Sequence, residues 1–353
     1  MKKSICIIIA LLTIFMCSCS KTKIPYDVQE NINLNYNNIS ASYNNVWLTN
    51  ESICYLEDAL VQYYCLVSGD KKTKICSNHG GGSGRIQRYG NKIYMMEEYS
   101  SILDNSKYLL KSYDVASEKI TNLFYVNNCD DYFVLGENVY CLQYYWTQDS
   151  RKLSLNKYLI GSKEHTKIHD SVISFGVIEN NLVYITEENQ EISIFKYDSA
   201  NNTSTKCGQF FVEITDEYFT DYIFASYTSD YIFLTYTDSE EENSTIFRFS
   251  LEESKVDTTI LQGDVYSNFI SYSDYSYFAL ADFSFEETGD SDKTKTEIYK
   301  MNNHTGEQIK LGQIQGECSI FVGSDDGVYV HEQKDRIISY FATGEEKKIV
   351  YRF

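Results

Sequence analysis

The chain has 353 residues and a formal net charge of −19, with 32 Tyr, 19 Phe and a single Pro. So acidic a surface repels phosphate backbones and argues against nucleic acid as a partner. Tyr, Ile, Val, Phe and Thr favour strands, and no segment carries a sustained apolar stripe of helical period, so the chain is expected to be all-β.

The first 18 residues are a targeting segment and lie outside the fold argument. Lys2 and Lys3 precede the apolar run Ile5 to Met16, which falls short of the roughly 20 residues a spanning helix needs. The segment ends in Met16-Cys17-Ser18-Cys19. A small residue directly before Cys resembles the lipobox of bacterial lipoproteins. The resemblance implies cleavage before Cys19, a diacylglycerol on its sulfur, and a lipid-anchored position on the extracytoplasmic side of the cell membrane. Cys17 is the other candidate for modification, and an ordinary secretory signal is the alternative to the lipoprotein reading. Residues 19–40 are polar and Asn-rich and suit a flexible tether, leaving 41–353 as one folded domain.

That domain repeats. A short aromatic strand recurs at Ile53-Cys54-Tyr55, Lys92-Ile93-Tyr94, Asn138-Val139-Tyr140, Leu182-Val183-Tyr184, Tyr231-Ile232-Phe233, Tyr277-Phe278 and Gly327-Val328-Tyr329, with aromatic positions 39 to 51 residues apart. Each is followed by a further strand and a tight turn such as Tyr113-Asp114, Tyr197-Asp198 or Thr305-Gly306, where Gly, Asp and Asn suit hairpins. A first strand precedes each, for example Tyr132-Phe133-Val134-Leu135, and a polar strand closes the unit. Several strands per unit at this period predict a β-propeller, here of seven four-stranded antiparallel blades. Six blades require one spurious match. Eight require a unit from residues 20–40, which lack the pattern.

The phrase of aromatic strand, Tyr-Asp or Thr-Gly-Glu turn and polar strand, spread over residues 42–353, resembles TolB-like and low-density-lipoprotein-receptor-like propellers. The receptor-type Tyr-Trp-Thr-Asp motif is approached once, at Tyr145-Trp146-Thr147-Gln148, with Asp replaced. The resemblance implies the propeller fold and assigns no activity.

Of ten Cys, seven remain once the leader and Cys19 are set aside: 54, 65, 76, 129, 141, 207 and 318. An odd count leaves at least one free thiol. The even spacing of Cys54, Cys65 and Cys76, and the hairpin relation of Cys129 to Cys141, fit disulfides or a thiolate site. Small buried hydrophobes are the preferred reading. There is no CxxC pair and no His cluster to hold zinc.

Strand order places the B–C and D–A loops on one face, and long loops on a rigid scaffold are where function sits. The long segments there are Glu97–Lys107, Tyr144–Lys152, Asp238–Ser244 and Glu286–Thr296. Tyr144, Tyr145 and Trp146 are the candidate ligand-binding residues, an aromatic cluster that can stack on a sugar or receive a partner's side chain; packing on the next blade is the plainer account. Asp290 and Asp292 have the oxygen chemistry for calcium. The third ligand, the Gly and the distal Glu of an EF-type loop are missing, so a solvated acidic loop is preferred. The loop Gly80-Gly81-Gly82 lacks the Lys-Ser/Thr of a phosphate cradle. No Gly-x-Ser-x-Gly elbow occurs, and the His residues are scattered. The sequence therefore predicts a binding module for a protein or glycan at the cell surface, without a cofactor or catalytic residues of its own. The alternative is a propeller hydrolase or lyase with carboxylates lining its channel.

Overall fold

The computed structural model describes residues 46–352 except 49–51, 58–61, 69–70, 79–85, 90, 103–104, 148–150, 163, 179–180, 213–222, 239–242, 266–268, 282–293, 324–325 and 333–334. Cys19, the tether, the Gly80 loop, Asp290 and Asp292 all lie outside these residues.

The described residues form strands and turns, arranged as seven four-stranded antiparallel sheets. Blade 1 comprises β1 (Val46–Leu48), β2 (Ser52–Glu57), β3 (Gln62–Ser68) and β4 (Lys71–Asn78). Blade 2 comprises β5 (Ile86–Tyr89), β6 (Lys92–Ile102), β7 (Asn105–Asp114) and β8 (Lys119–Asn127). Blade 3 comprises β9 (Cys129–Leu135), β10 (Asn138–Trp146), β11 (Arg151–Leu159) and β12 (His165–Asp170). Blade 4 comprises β13 (Val172–Ile178), β14 (Asn181–Glu188), β15 (Glu191–Asp198) and β16 (Thr203–Phe211). Blade 5 comprises β17 (Ile223–Tyr227), β18 (Tyr231–Asp238), β19 (Asn243–Ser250) and β20 (Lys255–Gln262). Blade 6 comprises β21 (Phe269–Tyr272), β22 (Tyr275–Ala281), β23 (Lys295–Asn302) and β24 (Gln308–Gln315). Blade 7 comprises β25 (Cys318–Gly323), β26 (Gly327–Glu332), β27 (Ile337–Ala342) and β28 (Lys348–Arg352).

First strands of neighbouring blades meet around the centre at most junctions, β13 packs on β10 and β11 between blades 3 and 4, and β25 touches β1, so the ring closes. No blade is shared between early and late parts of the chain; each sheet takes consecutive strands. Closure rests on apolar packing, with Tyr329, Ile338 and Val350 of blade 7 in one cluster with Cys54 and Tyr64 of blade 1. Burial follows from strand position: β13 is buried almost throughout, whereas β16 is exposed almost throughout. A sheet with two apolar faces is stable only between neighbours, and the ring supplies them.

The predicted aromatics are the centre of this packing. Tyr94, Tyr140, Tyr184, Phe233, Phe278 and Tyr329 are all buried. In three blades the second strand's aromatic pairs across to one on the third: Tyr184 with Phe195 at 5.1 Å, Phe278 with Tyr299 at 5.2 Å and Tyr329 with Tyr340 at 4.8 Å. Such pairs contribute about 0.5–1.5 kcal/mol each beyond area burial.

A second repeat is structural. The register between third and fourth strands shifts after Tyr64, Leu110, Leu155, Ile194, Ile298 and Ile338, at the same place in six blades. Blade 5 keeps an unbroken ladder. A bulge adds twist, which bends the outer strand around its neighbour.

Two segments expected as loops are strands instead. β6 runs to Ile102 and pairs with β7 through Ser100↔Lys107 and Ile102↔Asn105. Likewise β10 runs through Trp146, with Tyr144↔Leu153, Tyr145↔Lys152 and Trp146↔Arg151. Neither segment shows the apolar–polar alternation of a half-buried strand, yet both continue the ladder of their hairpin.

Candidate functional site

The β10–β11 arm carries the aromatic cluster singled out above. It is pinned at its root from several sides. The Tyr144 amide donates to the Asn128 carbonyl at 2.9 Å. Gln143 Nε2 donates to the Asn127 carbonyl at 2.7 Å, and Tyr158 Oη donates to Gln143 Oε1 at 2.8 Å. Arg151 lies 4.7 Å above the Tyr144 ring and forms an ion pair with Asp130. The rings further out are presented to solvent: Tyr145 is 37% exposed and Trp146 56%. On the adjoining blade, exposed Tyr125 lies under the Lys107 ammonium at 4.4 Å. The structure thus separates the predicted trio. Tyr144 is a half-buried anchor, and Tyr145 and Trp146 form the accessible end.

The channel wall offers little acid. Among the described first strands, Asp130 and Asp131 of β9 are the carboxylates, and they are adjacent. Asp130 is held by Arg151, and Asp131 Oδ1 accepts from the Tyr132 amide at 2.7 Å. The acids expected to converge from different blades are not brought together by these strands.

The opposite face, with the A–B and C–D turns, carries contacts that the sequence did not reveal. In blades 3 and 5 the third-strand residue opposite the core aromatic is a cation: Lys157 opposite Tyr140 and Arg248 opposite Phe233. Each reaches the next blade's turn. Lys157 Nζ donates to the Ser199 carbonyl at 3.2 Å and to Asn202. The Arg248 guanidinium donates to the carbonyls of Asn303 at 2.7 Å and His304 at 3.0 Å, and to Asp257 at 2.7 Å. His304 bridges Tyr231 at 3.1 Å and Asp274 at 3.2 Å. This relay is exposed and spans two blades, so it holds a turn in place.

Blade 6 has Tyr299 at the cation's position, and its hydroxyl donates to Glu297 of the same strand at 2.7 Å. Between blades 6 and 7 there is a cleft of about 520 Å³, lined by Tyr275, Lys300, Asn302, Ile309, Tyr340 and Lys348 among others. Lys300 is buried, with its ammonium 3.7 Å from the Tyr275 ring centre. The missing clasp leaves room at this junction. A cation at Lys157 or Arg248 was the available sequence signal, but nothing in one sequence tells which turn it meets.

All seven described Cys are free thiols. The register pairs Cys54 with Leu66 and Cys65 with Tyr55, so alternation sends those two thiols to opposite faces despite their even spacing. Burial raises the Cys54 and Cys318 thiols far above the ordinary value. Among the described residues no group of three His, Cys, Asp or Glu is placed to hold a metal.

No family model matches the chain, and neither does any curated protein. Solved structures do match. The chain is similar to the tricorn protease at 13% identity and TM-score 0.53, over 85% of this chain and 33% of that one. It is similar to an acylaminoacyl peptidase of Pyrococcus horikoshii at 10% identity and TM-score 0.52, over 86% of this chain and 50% of that one. The β-propeller domain of the Trilobed protease from Pyrococcus furiosus, described as having an open velcro topology, matches at 12% identity and TM-score 0.50, over 86% and 94%. The chain therefore spans about a third of the first and half of the second. At such identity the likeness is one of fold, a β-propeller with neighbours among peptidase propeller domains. The finer resemblance to lipoproteins and TolB-like chains has no family match behind it.

Proposed function

We propose that the chain is a lipid-anchored, extracytoplasmic binding module that engages a protein or glycan through the face bearing the β10–β11 arm. The observation that carries this reading is the contrast along the arm: Tyr144 is fixed by Arg151 and Asn128, while Tyr145 and Trp146 are presented to solvent. Rigid aromatic rings bind with little ordering cost, and exposed Trp and Tyr dominate binding energy where they meet a partner. The anchor follows from Cys19 and the tether and supports placement at the membrane surface. Removal of residues 1–23 and screening of the remaining chain on glycan and peptide arrays tests the reading. Saturable binding that Trp146→Ala removes supports it; binding unaffected by that change refutes it.

A second reading, a hydrolytic role, is favoured by the match to propeller parts of peptidases. Against it stand the two adjacent and already engaged carboxylates of β9. Turnover of any array ligand by the isolated chain would favour this second reading.

A further inference from the structure

The two thiols of blade 3 are brought together by a register fault. β10 pairs with β9 through Cys141↔Tyr132 and Leu142↔Asp131, then shifts so that Gln143 faces Cys129. Asp130 is the extra residue. Without it, strict alternation would put Cys129, three positions before Tyr132, on the face opposite Tyr132 and Cys141. With it, Cys129 joins the face of Cys141 and Gln143. The outcome is a shared face: Cys129 and Cys141 lie two register positions apart in one buried cluster with Tyr132, Val134 and Val139, and Cys129 Sγ donates to the Asp131 carbonyl at 3.3 Å. Both side chains are buried. The other thiols have different neighbours, Cys76 meeting Met95 Sδ at 3.3 Å and Cys207 the Ile194 carbonyl at 3.5 Å.

We propose that Cys129 and Cys141 are a disulfide-forming pair that closes when the chain folds under oxidising conditions, stitching β9 to β10 at the root of the aromatic arm. The inference rests on the register alone and is independent of the binding reading. The oxidant is a disulfide of the glutathione type. One Cys thiolate attacks it and displaces one reduced glutathione, giving a mixed disulfide. The second Cys thiolate then attacks the protein sulfur of that mixed disulfide, forms the Cys129–Cys141 bond and releases the second glutathione. Two protons leave the pair and end on the two glutathione thiols, and the pair's two electrons reduce the oxidant. Thiolates are the attacking species, and burial pushes the Cys129 thiol well above its ordinary value, so the step belongs to folding, before blade 2 packs over this face of the hairpin.

The test uses the full chain, unfolded under reducing conditions and refolded in a glutathione redox buffer. It is then unfolded again, alkylated and cut with trypsin. Both thiols fall in one tryptic peptide, Ile120 to Arg151. The expected result is that this peptide carries no alkyl group and is lighter than the reduced peptide by two hydrogens, while a reduced sample takes two alkyl groups. Two alkyl groups on the peptide after refolding, or a bond from Cys129 to any other cysteine, would overturn the proposal.

Discussion

The carboxamide of Gln87 clasps the backbone of Val134 at both ends, with Nε2 donating to the Val134 carbonyl at 2.8 Å and the Val134 amide donating to Oε1 at 2.7 Å. A side chain of β5 thus stands in for a strand partner of β9, across the seam between blades 2 and 3. Two other seams use the same device with single bonds, Tyr64 Oη to the Met96 carbonyl at 2.7 Å and the Ser271 amide to Ser226 Oγ at 2.8 Å, while Tyr227 Oη joins Ser174 Oγ, side chain to side chain, at 2.9 Å. First strands of adjacent blades cannot pair as a ladder, so side chains satisfy backbone groups that would otherwise be buried alone.

Gln87→Ala leaves a buried amide and a buried carbonyl without their partner, each worth about 1–3 kcal/mol. The expected loss is about 2–4 kcal/mol of unfolding free energy, read from equilibrium urea denaturation. A loss below about 0.5 kcal/mol, the range of ordinary surface changes, would show that the clasp contributes nothing.

Gly208 follows the bulge of blade 4 and faces Ile194 across the ladder. A Cβ there would sit 2.4 Å from Phe249 Cζ of blade 5. Gly312 occupies the same place in blade 6, against Phe341 of blade 7 at 2.8 Å. Gly208→Ala is expected to destabilise the ring by about 1–3 kcal/mol through overpacking. Adding Phe249→Leu should return part of that loss in a double-mutant cycle, and strict additivity of the two changes would refute the contact.

Glu297 gives a pH signature. Lys295, Lys310 and the Tyr299 hydroxyl hold its carboxyl down from 4.5 to about 2. A folded-state value below the unfolded one stabilises the chain above the ordinary value, and that stability is lost as pH falls towards the folded one. The wild type should therefore be more stable than Glu297→Gln at neutral pH, with the difference shrinking between about pH 5 and pH 2. A difference that stays constant across that window in thermal unfolding would remove the assignment.

Cys19→Ser should block acylation and move the chain from the membrane fraction to the soluble fraction, since one lipid-modified Cys is the only anchor proposed. Incorporation of labelled fatty acid checks it. Label retained in the variant would shift the assignment to Cys17.

The propeller was legible because its second strands repeat a buried aromatic, and those at Tyr140, Tyr184 and Tyr329 lie in the core as expected. The arm was misjudged as a loop because the consecutive aromatics Tyr144, Tyr145 and Trp146 lack the apolar–polar alternation that marks a half-buried strand. The bulges were hidden, as they insert one residue without changing composition. So was the Gln87 clasp, because a lone Gln in Ile86-Gln87-Arg88-Tyr89 carries no mark of its partner 47 residues later. The hairpin relation of Cys129 to Cys141 was visible, but their place on one face depends on the bulge at Asp130.

The central claim is that the exposed end of the β10–β11 arm binds. The direct measurement is the dissociation constant of the strongest array ligand for the wild type and for Trp146→Ala, alongside unfolding of both. The account predicts unchanged stability and a loss of about 2 kcal/mol or more in binding, roughly 30-fold in affinity. Equal affinity in the two proteins would contradict it.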